Sequence, residues 1–279
     1  MRKHLLALSL CLALFVCAAG PACAEEAAEA QQPQPSIPQI YIDGVLFENP
    51  YTTVVNEVTY ISLVNMTQTM RPQADVVWED GGPKARAEGL DLAARPGDLY
   101  LYVNGRYLYI PGRVQTATAP DGTLCTLVPV RTLAKALGAS VSWDGTVQIS
   151  SEGEPLVPGD EFYDPDALFL LSHIIYNESG NQPLEGKIAV GNVLLNRVNH
   201  PSFPSTLYDV VYQPGQFFPD RTGAMQKTPN EGSILAAKLC LEGAVIVPNA
   251  YWFNGVGKTC WASQHKTCIV VIGGHAFYG

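Results

Sequence analysis

Between residues 152 and 163 this chain changes its period. Upstream, from about 39 to 151, apolar and polar residues alternate and turn dipeptides recur, the pattern of short half-buried strands. Downstream of 164, apolar residues recur three and four apart, the pattern of helices buried along one face. Two textures in separate blocks exclude a uniform helical bundle and a uniform β-sandwich, and predict an α+β protein in two parts. The break itself carries Gly153, Pro155, Pro158 and Gly159 and reads as a linker over 152–163.

The first block contains an internal repeat. Tyr41-Ile42-Asp43-Gly44 returns as Tyr102-Val103-Asn104-Gly105, and Thr59-Tyr60-Ile61 as Thr126-Leu127-Val128. Val77-Trp78-Glu79-Asp80-Gly81 returns as Val141-Ser142-Trp143-Asp144-Gly145. The near-constant offset predicts duplication of one hairpin-plus-helix unit. Pro129 to Gly138 supplies a short helix ended by glycine. Trp78 and Trp143 stand at matching strand ends and are expected in hairpin cores, with sugar stacking as the alternative. The x-Asp/Asn-Gly turn, the Pro-Val-Arg helix and the Trp-Asp-Gly hairpin resemble the copper-amine-oxidase N-terminal-like stalk modules of secreted Gram-positive envelope proteins. The resemblance implies a spacer or a weak wall-binding unit over 39–151. It implies no copper, because this segment contains no histidine.

Ahead of the repeat, Arg2, Lys3 and His4 precede an apolar run from Leu5 to Ala19 and the small-residue pattern Ala22-Cys23-Ala24. This predicts a signal peptide over 1–24, followed by a flexible leader over 25–38, and a secreted, extracytoplasmic protein without stable membrane insertion after cleavage. A net charge of −9 without a basic patch argues against nucleic acid or an anionic membrane as partner. Export permits disulfides, and Cys260 and Cys268 stand close enough in sequence to pair. With His265 and His275 they also make zinc conceivable. The C-x7-C spacing is weak evidence for either, and buried, inert thiols are the preferred reading, with no metal and no cofactor.

The second block, 164–279, opens with a strong helix start. Asp164 is placed to cap, Pro165 stands at the first helical position, and Asp166 adds an acid near the positive end. Leu168, Leu171, Ile174 and Ile175 follow at helical spacing, and Gly180, Asn181 and Pro183 end the run. At about 100° per residue, Glu178 falls roughly 20° from the direction of Leu171, on the apolar face. Desolvation and the negative end of the helix dipole both disfavour its charged form, so its pKa should rise, as a general acid working near neutrality requires. A helix-end acid satisfied by backbone or solvent is the competing reading. Helices are expected over roughly 166–179, 186–198 and 231–242, with strands near 251–253 and 268–278.

Ile174 to Gly186, with Glu178 inside it, resembles the opening motif of the spore-cortex-lytic cell wall hydrolases, and Lys187 to Val198 resembles their second helix. Pro201, Phe203-Pro204, Val210 to Phe217, Tyr251 to Asn254 and Ile272 to Tyr278 continue the family's blocks in order, so the resemblance covers about 167–278. It departs at Gly180-Asn181-Gln182, where the family usually carries Arg-Gly-Glu. The resemblance implies a mainly helical, lysozyme-like catalytic domain. That domain would cleave the glycan strands of peptidoglycan between N-acetylmuramic acid and N-acetylglucosamine by lytic transglycosylation. Glu178 would be the general acid and then base. Tyr176, Ser179, Gln182, Gln213, Gln216, Phe217, Tyr251, Phe253, Asn254 and His275 would contact substrate, although each has a structural reading as well. A hydrolytic muramidase using Glu185, Asp209 or Asp220 as a second acid remains open. So do an amidase built on His173, His200, His265 and His275, and a non-catalytic wall-binding protein.

Overall fold

The computed structural model describes residues 37–48, 51–119, 122–217 and 219–279. The signal peptide and most of the leader expected from the sequence lie outside them. No helix among the described residues is long and apolar enough to cross a membrane.

The repeat becomes three sheets. Thr53–Val55, Val58–Ser62, Leu124–Pro129 and Gln115–Thr118 form one, in which the two copies pair antiparallel, Ile61 opposite Val128. Each central strand runs directly into a short helix, Leu63–Met70 in one copy and Val130–Ala136 in the other. A second sheet joins the ends of the block, with Ile40–Ile42 parallel to Val147–Ser150. The third is a five-stranded meander from Asp75–Glu79 to Arg106–Tyr109. The repeated Asp43-Gly44 and Asn104-Gly105 turns both have two successive residues with positive φ, which matches the twist of a tight hairpin and explains why Asp/Asn-Gly recurs.

The sequence reading of the tryptophans is corrected here. Trp78 is 53% exposed and Trp143 58% exposed, because each lies on the edge strand of its sheet rather than beneath one. The segment 152–163 is packed in place. It contains a short helix, Gly159–Phe162, and the Gly159 N–H donates to Asn104 O at 2.8 Å.

The C-terminal region is built on three helices, Pro165–Ser179, Leu184–Val198 and Glu231–Leu241, wrapped around Leu171, Ile174, Ile175, Val190, Val193, Leu194 and Leu239. Each fully buried aliphatic side chain here stabilises the fold by about 1.5–3 kcal/mol. Gly191 permits the closest helix approach, since a Cβ there would stand 2.5 Å from Cys240 Sγ. The second helix starts two residues earlier than the spacing predicts, with Pro183 as its cap. The terminal stretch near 268–278 is two strands, Cys268–Ile272 and His275–Tyr278, which with Trp252–Gly255 make a small antiparallel sheet.

The regions share an apolar boundary. Leu99 is buried in the helical core, and Tyr100, Tyr107 and Tyr109 of the meander pack against it. Across this boundary Arg106 donates to both oxygens of Glu242 at 2.6 and 2.7 Å, and the Tyr163 hydroxyl donates to Glu242 at 3.1 Å. The Arg106 and Glu242 side chains are only 5% and 2% exposed.

Candidate active site

Glu178 sits in the last turn of a helix whose start is fixed by Asp164, which accepts from Ala167 N at 2.7 Å. One turn earlier Ile174 and Ile175 are fully buried. Glu178 is half-buried, where the core meets a cavity of about 860 Å³. Burial pushes its carboxyl above the ordinary carboxylate range, against the weaker pull of the Asn177 amide and the Lys227 ammonium. The Asn177 amide donates to Glu178 Oε1 at 2.9 Å and in turn accepts from Lys227. This holds the carboxyl through Oε1. Gly180 follows because a Cβ there would stand 2.6 Å from Tyr176 O, so the chain leaves the helix by passing close over Tyr176.

Several stretches of chain line the cavity beside Glu178. Gly215, Gln216 and Phe217 come from the loop after the helix Leu207–Val211. Trp252, Phe253 and Asn254 come from one strand and His275 from its neighbour, with Gly255 directly opposite His275. Trp261 belongs to a short helix and Arg197 to the end of the Leu184–Val198 helix. Phe217 and Phe253 lie 6.4 Å apart, and Trp252 and Trp261 5.6 Å apart, giving aromatic faces of the kind that stack on sugar rings. Among the described residues that line this cavity, Glu178 is the only carboxylate. Burial first, and then the Lys258 ammonium, keep His275 below its usual imidazole pKa. A second hollow of about 540 Å³ opens on the other side of Glu178, lined by Tyr176, Asn177, Asn181, Lys227 and Asn230. The carboxyl therefore stands between two open flanks.

Of the residues singled out in the sequence, Glu178, Gln216, Phe217, Phe253, Asn254 and His275 meet in the larger cavity, and Tyr176 lines the other flank. Ser179 does not reach either. It is fully buried and its hydroxyl donates to Ile175 O at 2.8 Å, because the position after Glu178 rotates back into the core. Gln182 accepts from Gly274 N at 2.7 Å and so clasps the turn that carries His275. Tyr251 is stacked on Phe203, with centroids 5.8 Å apart, behind the cavity wall. Gln213 lies outside the lining, with its Oε1 buried and unpartnered.

The cysteine reading is corrected too. Cys260 is half-buried at the cavity and Cys268 is exposed on an edge strand, and both are free thiols. Cys240 is the buried one, its thiol pushed up to about 12 by burial. No three His, Cys, Asp or Glu side chains among the described residues are placed to hold a metal ion. Trp252, Trp261, Arg197 and Lys258 are lining residues that the sequence reading passed over. The first and third stood inside the recognised blocks, but no spacing rule marks which face of a strand or helix end meets a cavity.

One half-buried carboxyl at the end of a helix thus stands between two hollows of about 860 and 540 Å³. Residues 181–278 match the cell wall hydrolase family. The match begins just after Glu178. The chain is 34% identical over 119 residues to the spore cortex-lytic enzyme of Bacillus cereus, covering 41% of this chain and 45% of that protein. It is 31% identical over 126 residues to that of Oceanobacillus iheyensis, covering 45% and 46%. The chain thus spans about half the length of the curated relatives it matches. It is also similar to the catalytic domain of the germination-specific lytic transglycosylase SleB from Bacillus anthracis. Identity there is 30%, over 44% of this chain and 100% of that one, with a TM-score of 0.40.

Proposed function

We propose that this protein cuts the glycan strands of peptidoglycan, in spore cortex or a related wall, as a lytic transglycosylase. The observation that carries this reading is the lone, half-buried Glu178 at the junction of two hollows. An ordinary glycosidase needs two carboxyl groups, one for the leaving oxygen and one for water or C1. Here the other acids weighed for that role are occupied or elsewhere. Glu185 pairs with Arg113, Asp209 accepts from the Thr206 hydroxyl at 2.6 Å, and Asp220 stands exposed outside the cavity lining.

A single carboxyl suffices when the nucleophile belongs to the substrate. Neutral Glu178 gives its proton to the glycosidic oxygen as the C1–O bond breaks. The resulting carboxylate takes the proton of the C6 hydroxyl as that oxygen closes on C1. The products are a 1,6-anhydro end and a free hydroxyl, with no water consumed. The intramolecular attack gains a large effective molarity. Glu178 needs to be neutral at the start, which its burial favours. Tyr176, Gln216, Phe217, Phe253, Asn254 and His275 hold sugars on either side, while Gln182 positions the His275 turn. The wall lies outside the cell, which agrees with export by residues 1–24, and residues 39–151 act as a stalk-like spacer or weak wall-binding module.

Digestion of purified cortex and vegetative peptidoglycan by wild type and Glu178→Gln, read by mass spectrometry, tests this. Anhydro-ended fragments from wild type only are expected. Reducing ends would replace the mechanism with hydrolysis, and intact glycan in both digests would leave an amidase, if stem peptides are released, or otherwise a wall-binding protein.

A further inference from the structure

Arg197 is 2% exposed, yet no carboxylate pairs with it among the described residues. Its Nε donates to Tyr251 O at 2.7 Å, and its guanidinium lies between the rings of Phe203 and Phe217, at 5.1 and 5.3 Å. The Nη1 nitrogen is buried and has no hydrogen-bond partner. A buried charged donor left open is costly, and such groups are retained where something outside the fold completes them. Arg197 lines the same cavity as Glu178. A second, independent group there is in the same condition, since His275 Nδ1 is also buried and unpartnered. The cavity wall is therefore built with polar groups that the protein itself does not satisfy.

The chemistry narrows the ligand group. A guanidinium is donor-only, so its best complement is an acceptor-only oxygen rather than a hydroxyl, which also has a proton to place. On a glycan held against Phe217 and Phe253, the strongest such acceptors are carbonyl oxygens of acyl groups, the ring and glycosidic ether oxygens being weaker. The acyl group carried by every N-acetylglucosamine unit of the proposed substrate is the acetamido carbonyl. We infer that Arg197 Nη1 is the donor for an acetamido carbonyl oxygen of the bound glycan, making Arg197 a specificity-determining residue. The inference rests on the glycan reading of the cavity given above.

The test compares two ligands in the full chain carrying Glu178→Gln, so that nothing is cut. Calorimetry measures the affinity of the β-1,4-linked N-acetylglucosamine tetramer against that of the β-1,4-linked glucose tetramer, which carries a hydroxyl in place of each acetamido group. The N-acetylated tetramer is expected to bind tighter, and adding Arg197→Met should shrink that preference by about tenfold to a hundredfold while the glucose tetramer still binds. A preference unchanged by Arg197→Met, or no preference in the parent, overturns the inference and leaves the glycan reading standing. Failure of both tetramers to bind the parent overturns both. If Arg197→Met does not fold, nitrogen-15 spectra of the parent decide. The Arg197 Nη1 signal should move with the N-acetylated tetramer and not with the glucose tetramer, and a signal moved by neither overturns the inference.

Discussion

The two halves of this molecule treat charge in opposite ways. In the N-terminal sheets the ion pairs lie at the surface, as with Arg86 and Glu79 or Arg95 and Asp98, where water screens them. In the helical half, Lys187, Asn192, Arg197, Glu178 and His275 are wholly or partly removed from water. Some of these are fully satisfied: Asn192 donates to Ala244 O at 2.7 Å and accepts from Ile246 N at 2.7 Å. Others, Arg197 and His275, keep a buried atom open, and both line the Glu178 cavity. Thr67, Thr126, Gln213 and Ser233 also keep a buried neutral oxygen open, but none of them lines this cavity, whereas an unpartnered charged donor on a cavity wall is suited to a ligand.

The largest expected effect is on Glu178→Gln, which should lower peptidoglycan turnover by about 10²–10⁴-fold while leaving the fold intact, as checked by circular dichroism alongside the assay. Next is the latch that joins the halves. Arg106→Met should cost about 3–5 kcal/mol in denaturant unfolding, because it strands a buried Glu242 carboxylate, and Arg106→Met with Glu242→Leu should recover most of that loss. Recovery would mean that the latch fixes how the regions dock more than it stabilises them. Asn192→Leu should cost about 1–3 kcal/mol or more by unpairing buried backbone groups of the 244–247 turn.

A smaller effect is pH-linked. Because the folded-state pKa of Glu178 is raised, its contribution to stability is fully present below the ordinary glutamate range and is lost as pH rises through the raised value. The unfolding free energy of wild type should therefore fall relative to that of Glu178→Gln as pH rises into that window, with activity declining over the same range. The smallest effect belongs to the exposed region: Arg86→Ala should leave the unfolding midpoint unchanged within error.

Much of this was legible from the chain alone. The change of period at 152–163 marks the two regions because a strand and a helix bury different residue spacings, and the Asp/Asn-Gly turns mark hairpins because two successive positive φ angles favour those residues. The angle from Leu171 places Glu178 on the apolar side of its helix. Tryptophan positions were not legible. Whether Trp78 and Trp143 are covered depends on which strand ends a sheet, and pairing order is a long-range property. Ser179 differs from the sequence reading for a local reason, because its hydroxyl is spent on Ile175 O one turn back in the same helix.

Local spacing thus determined the elements, their directions and the acid most shielded from water, since each depends on residues a few positions apart. The tertiary structure alone decided that Arg197, Trp252 and Trp261 share a cavity with Glu178, and that Arg106 reaches Glu242. Those meetings join residues tens to more than a hundred positions apart, and they arise from how whole layers pack, which no periodicity records.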